Sequence, residues 1–97
     1  MPVSEARVAT PEANRYLQQL CKHWSHKFTV EFTPERGRVP FDDERACQFD
    51  AGNGTLTMRA EAADDAALVR TQGTVENHLK RFAFREDFGE LEWKRVG

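Results

Sequence analysis

Serine and cysteine are both scarce in this chain: Ser4 and Ser25 are the only serines, and Cys21 and Cys47 the only cysteines. Two cysteines are too few for the disulfide framework of a small secreted scaffold. Neither serine lies in a Gly-x-Ser-x-Gly elbow or shows a base and orienting acid nearby in sequence. There is no phosphate loop or dinucleotide fingerprint, and Gly52-Asn53-Gly54 reads as a turn. No run approaches the roughly 18 apolar residues that a membrane span needs. The N-terminal MPVSEARV lacks the apolar core of a secretory signal. A basic excess is missing too: 14 Lys and Arg face 16 Asp and Glu, a formal net charge of −2. That balance speaks against nucleic-acid and anionic-membrane partners, which select basic surfaces. Internal repeats, linkers and low-complexity segments are absent. These absences predict a cytoplasmic protein with reduced thiols.

What is present describes a globular protein. A chain of 97 residues, 39% hydrophobic and 31% charged, fits one domain spanning residues 1–97. Seven phenylalanines and two tryptophans supply large apolar surface for a small core.

Hydropathy alternates between two periods. Ser4 to Thr10 reads as a half-buried strand with Ala6 and Val8 inward. Thr10-Pro11-Glu12 reads as a helix start, and Ala13, Tyr16, Leu17, Leu20, Cys21 and Trp24 form an apolar stripe of period 3.6. This helix is expected from about Pro11 to His23 or Trp24. Strands are expected over Lys27 to Phe32 (Phe28, Val30 and Phe32 inward), Arg36 to Phe41, Arg45 to Asp50 and Thr55 to Ala62. Pro40 lacks an amide proton, so its strand should be an edge or bulged there. Asn53-Gly54 is the strongest hairpin signal, because both residues tolerate positive φ. Asp64-Asp65 opens a second helix carrying Leu68, Val75, Leu79 and Phe82 on one face and reaching Phe82 to Phe84. Gly89 to Arg95 reads as a final strand with Leu91 and Trp93 inward.

The order β-α-β-β-β-β-α-β, with each strand polar on one side, predicts an α+β two-layer sandwich. Its antiparallel sheet has both helices on one face and water on the other. The order resembles the β-α-β₄-α arrangement of the TATA-binding-protein-like folds, with one strand added.

Chemistry-bearing residues concentrate in Leu20 to Phe28, LCKHWSHKF, where helical pattern meets strand pattern. The spacing Cys21-x-His23-x-x-His26 invites a metal, but residues two apart on a helix point about 200° from each other. His78 lies about fourteen residues, or roughly 21 Å, into the second helix. If the helices are antiparallel neighbours, that position is expected to be far from the end of the first. No metal site, cofactor or catalytic group is therefore expected. Both cysteines fall on inward faces, where a thiol behaves as a small hydrophobe. His26 is a candidate cap for the carbonyls ending the first helix. Asp42-Asp43-Glu44 and Asp64-Asp65 are explained by turn and cap chemistry. A second cluster, Lys80, Arg81, Phe82 and Arg85, is a cationic patch beside phenylalanines at the end of the second helix. It suits the helix dipole, or alternatively a small anionic ligand or partner surface.

Three blocks, RVATPEANRYLQQLCKHWSHKFTVEF at Arg7 to Phe32, GRVPF at Gly37 to Phe41 and NHLKRFAFRE at Asn77 to Glu86, resemble the bacterial family known as domain of unknown function 2218. The family carries no established activity. The resemblance implies an accessory role near iron uptake, because some members are attached to siderophore-interacting flavoproteins, the flavin reductases that release iron from ferric siderophores. It singles out His23, His26 and Lys27 in one block and His78, Phe82 and Arg85 in the other, without a residue-level mechanism.

Two readings follow. One is a non-enzymatic binding or accessory module, with a flavin-dependent siderophore reductase or a small anionic ligand as partner and the Lys80 to Arg85 patch exposed. The other is a metal- or haem-handling protein or small enzyme using His23, His26 or His78. It predicts two of these imidazoles within roughly 5 Å, near the separation a shared metal requires.

Overall fold

The computed structural model describes residues 2–83, 86 and 91–97. Six strands and two helices follow in the order expected: β1 (Val3–Ala9), α1 (Ala13–Trp24), β2 (Glu31–Phe32), β3 (Arg36–Asp42), β4 (Arg45–Gly52), β5 (Thr55–Ala62), α2 (Asp65–Phe82) and β6 (Lys94–Arg95). The sheet order is β2-β3-β4-β5-β1-β6, and every pairing is antiparallel. Ala6, Val8, Val39, Phe49, Leu56 and Met58 leave the sheet on one side and are buried beneath the helices. Charged residues alternating with them pair on the open side: Arg38 with Glu61 at 2.7 Å, Arg59 with Glu5 at 3.1 Å and Arg36 with Asp50 at 3.1 Å. The result is the α+β two-layer sandwich that the alternation predicted.

Turn and cap chemistry explains the joints. Gly52 pairs with Thr55, and Asn53 and Gly54 between them have φ of 54° and 71°. That is the two-residue hairpin for which these residues are suited. The Asp64 side chain accepts from the Ala67 amide at 2.8 Å and caps α2. The Asp42 carboxylate accepts from the Glu44 amide at 2.8 Å and pairs with Arg45 at 3.0 Å. That amide and then the guanidinium hold its carboxyl below the usual range. The ladder slips between Pro40 and Asp42, so the bulge reading of Pro40 is the one realised.

Three elements differ from expectation. The Lys27 to Phe32 strand shrinks to Glu31–Phe32. The chain leaving α1 continues as turns, with the Lys27 and Phe28 amides both donating to the Trp24 carbonyl. Phe28 and Val30 still pack on the core; Phe32 faces the helix side opposite Gly37, but on the edge strand it stays 40% exposed. Helix α1 begins at Ala13, because the Thr10 hydroxyl accepts from the Glu12 amide and delays the first turn. The last strand is only Lys94–Arg95, paired with Glu5 and Ser4. Its expected start at Gly89, and the Phe84 end of α2, lie outside the described residues. Both sheet edges are thus two-residue strands, a length that limits edge-to-edge pairing.

Register also sets where the helices go. Ala9 pairs with Thr55 and Val3 with Glu61, so β1 ends where β5 begins. Helix α1 therefore starts at the end of the sheet towards which α2 descends, and the two run in opposite directions. Helix α1 lies over β3 and β4, and α2 over β4 and β5.

Candidate functional site

The C-terminal turn of α1 meets the C-terminal third of α2, and the imidazoles gather there. The His23 and His78 ring centroids are 5.3 Å apart. Trp24 packs at 5.0 Å from His78, and Phe82 at 5.7 Å from His23. The expectation that His78 lies far from the end of α1 is corrected. The helices are antiparallel, but they overlap only in part. Tyr16, one turn into α1, already reaches Glu86 beyond the end of α2, so Trp24 comes level with His78 rather than with the start of α2.

Each ring has a different environment. Trp24 is core, wedged between Phe41 at 5.1 Å and Phe49 at 6.0 Å. His78 is half-buried, and its Nδ1 lies 2.7 Å from the Thr74 carbonyl oxygen. A carbonyl oxygen only accepts, so Nδ1 carries the proton and Nε2 keeps its lone pair when the ring is neutral. His23 is exposed and has its pKa lowered, first by desolvation and then by the charges of His78, Arg81, His26 and Lys27. His26 is exposed and does not cap α1; the Ser25 hydroxyl does, donating to the Lys22 carbonyl at 2.6 Å.

Gln19, Lys22, His23, His26 and Phe82 line a shallow opening of about 280 Å³ at this corner. Charge is distributed unevenly around it. Lys80 is paired with Glu76 at 3.0 Å. Lys22, Lys27 and Arg81 have no ion pair among the described residues, whereas Arg36, Arg38 and Arg59 on the sheet face each have a carboxylate partner. Arg85 lies outside the described residues. A larger hollow, about 430 Å³, opens on the sheet face over Arg36, Arg38, Gln48 and Asp50. Its arginines are already neutralised, so the smaller opening between the helices holds more available chemistry.

The thiols offer none. Cys21 and Cys47 are unpaired and fully buried, and burial pushes Cys21 up to about 11 and Cys47 higher still. A nucleophile needs the thiolate. No group of three or more His, Cys, Asp or Glu among the described residues could hold a metal.

One polar cluster has no local signal in the sequence. The Glu86 carboxylate accepts from the Thr10 hydroxyl at 2.9 Å and from the Tyr16 hydroxyl. Thr10 and Tyr16 are each 2% exposed. Burial and this carboxylate raise the Tyr16 pKa. The cluster ties the start of α1 to the chain beyond α2.

These features define a small α+β domain with a cationic, histidine-bearing corner between two helices. The chain belongs to the family described as uncharacterized protein conserved in bacteria (DUF2218), whose model matches residues 5–94. The NMR structure of PA4090 from Pseudomonas aeruginosa is similar, with 39% sequence identity and a TM-score of 0.81 over 97% of this chain and 96% of that one. No curated protein matches the chain. No helix among the described residues is long and apolar enough to cross a membrane.

Proposed function

We propose that this protein is a non-enzymatic binding or accessory module that takes a small anionic ligand at the corner between α1 and α2. The observation that carries the reading is the unneutralised charge there: Lys22, Lys27 and Arg81 have no ion pair among the described residues, while Arg36, Arg38 and Arg59 on the sheet face each have a carboxylate partner. Cations left without carboxylates around an opening are an electrostatic footprint for an anion. Phe82 gives the opening an apolar wall. The family resemblance supports a flavin-dependent siderophore reductase as the partner in this reading, beside which the module would present or accept an anionic ferric chelate. A cytoplasmic location belongs to this reading.

Titration of isotopically labelled protein with a ferric catecholate, read by amide shifts, tests it alongside pull-down of the flavoprotein. Shifts should centre on Lys22, His23, Lys27 and Arg81, and an Arg81→Gln, Lys22→Gln variant should weaken them. Absence of binding to both chelate and flavoprotein would sink the proposal.

A second reading, a metal handled by His23 and His78, is favoured by their 5.3 Å ring separation. Imidazoles sharing a zinc ion with bonds of about 2.1 Å bring their centroids to roughly 5 Å. The Thr74 carbonyl on His78 Nδ1 is the kind of outer contact that aims a ligating imidazole. It ranks second because the surrounding cations repel a metal ion and no group of three ligands that could hold one forms among the described residues. Stoichiometric zinc or iron in protein purified without a histidine tag would reverse the order.

A further inference from the structure

We infer that anion binding at this corner is coupled to protonation of His23, so that a small, multiply charged anion is held more tightly at pH 5.5 than at pH 8. The inference rests on the binding reading above and specifies its regulation.

Among the described residues, the groups that face His23 are positive or neutral. Lys22 precedes it on α1, and His26 and Lys27 follow in the turn. From α2 it faces His78, Arg81 and the Phe82 ring. The nearest pair along α2, Lys80 with Glu76, is already closed, and Glu76 also accepts from the Trp93 indole at 3.2 Å. No carboxylate is paired with His23 among the described residues, so nothing there stabilises an imidazolium.

An anion seated over Lys22, Lys27 and Arg81 changes that balance. Its charge offsets the cations that oppose protonation and is itself a hydrogen-bond acceptor for the ring. His23 then takes up a proton as the ligand binds. Linkage is reciprocal: whatever factor the anion adds to proton affinity, the proton adds to anion affinity. His23 is exposed at the mouth while His78 is half-buried against Trp24, so His23 is the ring that an incoming anion meets first.

The probe should hold its own charge constant across the range. Benzene-1,3-disulfonate is fully ionised from pH 5 to 8 and presents a flat ring to Phe82. Calorimetric Kd should tighten about three- to tenfold from pH 8.0 to 5.5, as a shift of up to one pKa unit gives. Proton uptake near pH 6 should appear as a dependence of the heat on buffer ionisation enthalpy. His23→Gln should flatten the pH profile. Independently of any variant, the His23 ring pKa followed by NMR should rise when probe is added. Equal affinity at both pH values, or an unmoved His23 titration, overturns this inference while leaving the binding reading intact. A pH profile that survives in His23→Gln overturns the assignment to His23. Failure to bind at either pH overturns both.

Discussion

The sulfur of Cys21 lies 2.5 Å from where a Cβ on Gly37 would stand. Helix α1 approaches β3 so closely at this point that only a residue without a side chain fits beneath it. The neighbouring Phe32 Cβ would be 3.2 Å away and a Leu17 methyl 3.6 Å away, so an added methyl has little room to escape. Gly37→Ala should therefore destabilise the fold by about 1–3 kcal/mol, the usual range for overpacking. Cys21→Ala removes the opposing sulfur, so the double variant should lose less than the two single losses summed. Urea denaturation of the four proteins measures the coupling. An additive cycle would show that the two sites do not meet.

The Glu86 carboxylate joins the chain beyond α2 to Thr10 and Tyr16 at the start of α1. Removing one donor leaves a partly buried charged acceptor short of a partner, which costs about 1–3 kcal/mol. Tyr16→Phe keeps the ring and isolates this term. Its thermal midpoint should fall measurably, and amide exchange should accelerate around Glu86 first, because the contact tethers that segment.

Alkaline pH should unfold this protein through groups that burial holds protonated. Cys21 is raised from 9.0 to about 11, and Tyr16 is raised above 10.0. A raised folded pKa contributes stability that is present below the unfolded value and is lost as pH climbs through the folded one. Stability should thus decline from about pH 9 upward, and Cys21→Ala should remove part of the decline between pH 9 and 11. At neutral pH both thiols should resist a disulfide reagent until denaturant is added. A native thiol reacting at the rate of free cysteine would contradict their burial.

Acid pH acts through His23 in the opposite sense. Its folded pKa lies below the ordinary imidazole value of 6.5. A cation-forming group with a depressed pKa contributes stability present above the unfolded value and lost as pH falls through the folded one. Without ligand, the effect should be a slight loss of stability below about pH 6.5. The ring is exposed and solvent screens it, so the effect should be small. NMR titration should place the His23 midpoint below 6.5, and Arg81→Gln should move it up towards that value. An unchanged midpoint in Arg81→Gln would remove the guanidinium from the list of causes.

Much of the fold is legible along the chain because its signals are local. The 3.6-residue stripe from Ala13 to Trp24, the cap at Asp64 and the Asn53-Gly54 turn each act within a few residues, and each is realised. The strand expected from Lys27 is not. Its alternating Phe28, Val30 and Phe32 look inward by period, but the carbonyl at Trp24 captures the next amides and keeps the segment in turns. Periodicity records which residues favour burial; it does not record competition for a backbone acceptor.

The candidate site was legible only as two separate blocks. His23, His26 and Lys27 stand out as one cluster, and His78 to Phe82 as another, yet their spacing along each helix carries no information on helix offset. An estimate from helix length alone separates His23 from His78, whereas the 5.3 Å contact follows from how far α1 slides along α2. The Thr10–Tyr16–Glu86 cluster, which marks that offset, joins residues about seventy positions apart.

The amino-acid order alone determined the elements, the inward and outward faces of the sheet and the location of the thiols in the core, because nearest-neighbour sterics and hydropathy period act within a turn or two. Only the tertiary structure decided that the two histidine-bearing helix ends meet and that the cations beside them lack carboxylates among the described residues. Helix offset and charge pairing depend on how whole elements pack, and packing is a property of surfaces in contact that no stretch of chain holds by itself.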